Sequence, residues 1–98
     1  MFDINTISKR YFNIKLDGLV LDVEPPKIKV LRKIVSLTKD KSEETMDNLT
    51  EAVRMILNKN KSGYHVPDEV VDELDFDQLM EILTAYFTWM NGVKNSPN

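Results

Sequence analysis

YFNIKLDGLVLDVE, residues 11–24, decides the fold class. Asp17-Gly18 is a strong two-residue hairpin turn, because both residues tolerate the positive φ of a type I′ turn. With those two residues as the loop, Leu16 faces Leu19, Ile14 faces Leu21 and Phe12 faces Val23. Six apolar side chains then share one face of the ribbon. The opposite face carries Tyr11, Asn13, Lys15, Val20, Asp22 and Glu24, mostly polar. A slip of one residue would invert the pattern, so the alternation itself specifies the register. An isolated hairpin is marginal in water, so the apolar face must rest on something, and helices are the candidates.

The flanking sequence supplies them. Upstream, residues 1–10 hold Phe2, Ile4 and Ile7 at spacings that fit neither period, and read as a flexible arm. Downstream, Pro25-Pro26 stops the second strand, since neither proline donates to a ladder. IKVLRKIVSL then places Ile28, Leu31, Ile34 and Val35 at helical spacing, with Leu37 as a further candidate, predicting a helix over 27–38. Its β-branched content keeps a strand open as an alternative for part of the run. A polar break follows. Asp40 or Ser42, with Glu43 and Glu44 behind it, opens a second helix over 43–59. Met46, Leu49, Val53, Ile56 and Leu57 form its inner face, and Asp47, Glu51, Arg54 and Asn58 its solvated one. Gly63 is the expected stop. Pro67 opens a short helix in PDEVVDEL, with Val70, Val71 and Leu74 inward. Asp75 caps a last helix over 76–91, with Gln78 in the reciprocal position of a capping box. Gly92 ends that helix, and the tail over 93–98 is expected to be disordered.

The expectation is therefore one α+β, mainly α, domain over 1–98. An N-terminal β-hairpin packs on a bundle of three longer helices and one short helix, the helical part spanning 27–91.

The 98 residues include 13 basic and 16 acidic side chains, for a net charge of -3. A nucleic-acid surface would need a basic excess, so no nucleic-acid partner is expected. No run approaches the ~20 apolar residues of a membrane span, and the start lacks a secretory leader. A cytoplasmic protein without a membrane partner is expected. Cysteine is absent, which excludes disulfides, thiolate metal sites and cysteine nucleophiles. His65 is the single histidine and lies in a polar turn, where a surface role fits better than a metal or catalytic one. No GxSxG elbow, glycine-rich phosphate loop or DxDxDG calcium loop occurs. Neither an enzyme nor a cofactor or metal site is expected.

Three clusters remain. The acidic run Asp68, Glu69, Asp72, Glu73, Asp75, Asp77 and Glu81 is accounted for by helix starts, or serves as a contact surface for a basic partner. Lys27, Lys29, Arg32, Lys33 and Lys39 make the first helix basic, which suits a solvated face or a match to those acids. The last helix is the most informative. Its apolar residues fill about half the circumference at ~100° per residue. Leu79, Leu83, Tyr86 and Met90 sit near the centre of the arc, with Trp89 at one edge and Met80 at the other. Core packing covers the centre, and the edges suit either core or a partner surface. Met80, Tyr86, Phe87, Trp89 and Met90 are the candidate partner-binding residues. Trp89, at an edge, is expected to be dispensable for folding.

The order TMDNLTEAVRMILN, a polar turn, VPDEVVDEL and then DFDQLMEILTAYFTWMNG resembles the tail assembly chaperones of long-tailed, non-contractile phages and prophages of Gram-positive bacteria. The resemblance covers residues 43–92 best and lies in a capped start, an acidic LMEIL-like run and an aromatic finish. It implies a non-enzymatic assembly factor that coats the tape measure protein, keeps its apolar helices soluble and recruits the major tail protein. It also implies absence from the finished virion, and a longer product made by a frameshift near the codons for Gly92 to Asn98. Self-association is compatible with the exposed aromatics. A small helical adaptor unrelated to phage is the alternative. A DNA-binding regulator ranks last, because Asp75, Asp77 and Glu81 stand where phosphates would lie.

Overall fold

The computed structural model describes residues 1, 3–4, 10–39 and 42–92. The expectations for Phe2, Ile7, Asp40 and the tail over 93–98 concern residues outside this set. Strands β1 (Phe12–Leu16) and β2 (Leu19–Val23) form a two-stranded antiparallel sheet, followed by α1 (Ile28–Lys39), α2 (Thr45–Asn58), α3 (Asp68–Asp72) and α4 (Phe76–Gly92).

The ribbon has the register that its alternation requires: Phe12 opposite Val23, Ile14 opposite Leu21, and Leu16 opposite Leu19. Asp17 and Gly18 have φ of 46° and 91°, the two positive values of a type I′ turn. On the inner face Leu21 and Val23 are buried and their partners on β1 half-buried.

All of α1 is helical, which settles its strand alternative. Ile34 and Leu37 bury beneath it. α2 is the central helix, burying Leu49, Ala52, Val53, Ile56 and Leu57. Its bounds fall within two residues of the expected 43–59. The first helical residue is Thr45, and Ser42 acts just before the helix, its Oγ accepting the Glu44 N–H at 3.2 Å. The helix ends at Asn58, one residue short of the expected end, and residues 59–61 then pair with the sheet. Glu24 N–H donates to the Lys59 carbonyl and Lys61 N–H to the Asp22 carbonyl, both at 2.8 Å. Gly63 (φ 71°) instead closes the tight turn that follows, its N–H donating to the Asn60 carbonyl.

That turn is organised by two asparagines. The buried Asn60 donates from Nδ2 to the Leu57 and Tyr64 carbonyls, while its Oδ1 accepts from Tyr64 N–H and the Ser62 hydroxyl. Asn58, expected on a solvated face, accepts the Val66 N–H through Oδ1 at 2.7 Å. Buried backbone groups in a non-repetitive segment thus find partners in side chains. Arg54, part-exposed, pairs with Glu51 at 2.6 Å and with Asp68 at 3.2 Å, which ties α2 to the start of α3.

The α4 start matches the capping box. Gln78 N–H donates to Asp75 Oδ1 at 2.8 Å, and Asp75 N–H donates to Gln78 Oε1 at 2.9 Å. Leu79, Ile82, Leu83 and Tyr86 of α4 join the core shared with α2, β2 and Val66. Three residues assigned inward by spacing, Ile28, Met46 and Phe76, are exposed. Each stands in the first turn of its helix, where the chain overhangs the core.

Candidate functional site

α4 divides into three stripes. Leu79, Leu83 and Tyr86 face the core, and Tyr86 is only 1% exposed. Its ring meets Phe12 edge-on at 5.8 Å between centroids and Phe87 at 5.6 Å. Burial removes water from the phenol and pushes its pKa up to about 12. Tyr86 is therefore a core residue, and the expectation that it contacts a partner is corrected: the central stripe of an amphipathic helix faces the hydrophobic layer.

The second stripe faces the hairpin. Trp89 is half-buried, with its ring 5.7 Å from Phe12 and 5.8 Å from Tyr86. The Arg10 guanidinium lies 4.4 Å from the Trp89 centroid, within reach of a cation–π interaction. Trp89 thus packs the ribbon against α4 while remaining part-exposed. The sequence could not place it, because its partner Phe12 lies on a different element.

The third stripe holds the remaining candidates. Met80 is 37% exposed, Phe87 is partly buried, and both line a groove of about 380 Å³. Thr84, Thr88 and Asn91 continue the α4 wall at helical spacing, and Thr38 from the end of α1 and Leu49 from α2 supply the opposite wall. Such a volume is in the range of clefts that accept an apolar group, roughly 300–1,000 Å³. Met90 packs partly against the core. Of the five candidates, Met80 and Phe87 come together at this groove, Trp89 and Tyr86 belong to the aromatic cluster behind it, and Met90 adds to the core edge. Thr38 and Leu49 were missed; only the docking of α1 and α2 against α4 brings them here.

No family model, curated protein or solved structure matches the chain. Among the described residues, no group of three histidine, cysteine or carboxylate side chains could hold a metal ion. No described helix is long and apolar enough to cross a membrane. His65 is exposed in the turn before α3.

Proposed function

We propose that this chain is a non-catalytic tail assembly chaperone that holds apolar helical segments of a tape measure protein and helps recruit the major tail protein in the host cytoplasm. The observation that carries the reading is the Met80–Phe87 groove. It is an apolar slot on the surface of an otherwise well-packed helix, and Met46 and Phe76, each one helical turn before a groove residue in sequence, are exposed as well. Methionine suits a surface that accepts varied helices, because its flexible thioether repacks against different shapes. An amphipathic helix would lay its apolar face into such a slot. The resemblance of residues 43–92 supplies the identity of the partner.

Co-expression with a tape measure segment tests this. The wild-type chain should keep the segment in the soluble fraction and co-purify with it. Met80→Glu, at a partly exposed position, should leave the thermal midpoint within a few degrees and reduce capture at least tenfold. Undiminished capture by a folded Met80→Glu variant would remove the groove from the proposal.

A further inference from the structure

The two edges of the hairpin are treated differently. β2 has neighbours on both sides, β1 on one and residues 59–61 on the other. β1 has none on its far side among the described residues. Leu16 and Leu19 flank a two-residue turn and form a hydrogen-bonded pair, so Phe12, Ile14 and Leu16 spend their backbone groups on β2. The N–H and C=O groups of Asn13 and Lys15 therefore point away from the sheet. The Asn13 side chain is bonded across to Asp22 and does not cover this edge.

Beside that edge lies a continuous trough. One part, about 450 Å³, runs between the whole of β1 and the α4 residues Gln78, Glu81, Ile82 and Ala85. A second, about 680 Å³, continues past the hairpin tip over Leu19, Val70 and Leu74. The two share Lys15, Leu16, Leu74 and Gln78. Leu16, Leu19, Val70, Leu74 and Ile82 supply its apolar floor, Lys15 and Asp17 stand on the strand side, and Glu69, Glu73 and Glu81 stand exposed along the helical bank, with no ion pair among the described residues. A strand edge unpaired among the described residues, above apolar side chains with an acidic bank, fits one kind of occupant.

We propose that β1 accepts an extended segment of a partner protein as a third hairpin-side strand, with apolar residues toward Leu74 and Ile82 and arginine or lysine at its ends toward Glu73 and Glu81. Strand addition supplies main-chain hydrogen bonds, and the floor and bank supply selectivity. Five residues of β1 offer about 17 Å of edge at ~3.3 Å per residue, enough for a partner segment of similar length. This surface lies on the opposite flank of α4 from Met80 and Phe87, so it stands or falls separately from the tape measure reading.

The probe is a capped heptapeptide, arginine-threonine-valine-threonine-valine-threonine-arginine, titrated into the full chain and followed by amide NMR. Saturable binding is expected, with shifts concentrated on residues 12–16 and 78–85. The Asn13 and Lys15 amides should exchange fast in the free protein and slow on binding. Methylating the peptide amides that pair with β1 leaves its side chains intact and should weaken binding at least tenfold. Glu73→Gln with Glu81→Gln should weaken it about threefold to tenfold, and more at low salt than at high. Absence of saturable binding, equal affinity for the methylated peptide, or shifts centred on Met80 and Phe87 would overturn the proposal. So would slow exchange of Asn13 and Lys15 in the free protein, which would mean the edge is already filled.

Discussion

Tyr86 carries the clearest consequence of a single side chain. Its phenol ionises near 10 in the unfolded chain and near 12 when folded. The folded protein thus keeps the proton longer as pH rises. The associated stability is complete below pH 10 and is lost progressively between pH 10 and about 12, amounting to roughly 3 kcal/mol once both forms are ionised. Urea midpoints measured from pH 8 to 12 should fall across that window, and Tyr86→Phe should flatten the fall. Asn60 shows the opposite situation for prediction from sequence. Its four hydrogen bonds serve a buried turn, yet in NKNKSGYH it looks like any polar loop residue. Its importance comes from backbone groups on Leu57 and Tyr64 that need partners, and those needs exist only after the chain has bent.

Among the elements, the best anticipated are those whose signals are local. The hairpin register follows from period-two alternation around Asp17-Gly18, and the α4 start from Asp75 and Gln78, three positions apart. Asp75→Ala removes the cap while leaving Phe76–Gly92 otherwise intact, and should cost about 1 kcal/mol. A denaturation midpoint unchanged by that substitution would show that the Gln78 half of the box suffices. The α2 end falls at Asn58, within one residue of the expected 59. What local preference did not show is that residues 59–61 then pair with β2, leaving Gly63 to the turn beyond. The candidate site was legible in part. Periodicity found the broad apolar arc of α4, but could not rank its stripes, since that depends on which flank meets the hairpin and which meets α1 and α2.

For the molecule as a whole, the tie between β2 and the exit of α2 governs how structure is lost. The hairpin tip is closed by neighbours in sequence, whereas its open end is held by Lys59 and Lys61, which arrive from beyond two helices. Lys59 adds an ion pair to Glu24 at 3.4 Å across the same seam. At the other side of the ribbon Phe12 is wedged against Trp89 and Tyr86. The ribbon therefore cannot peel off while the helices stay folded without opening both seams. Tryptophan fluorescence, which reports on the Phe12 contact, and far-ultraviolet ellipticity, which reports on the helices, should give one coincident denaturation curve. An early fluorescence change with the ellipticity intact would mean that the ribbon detaches first. The zipper that closes this small protein is therefore stitched at its far end by the segment that leaves α2, making hairpin and helices a single cooperative fabric.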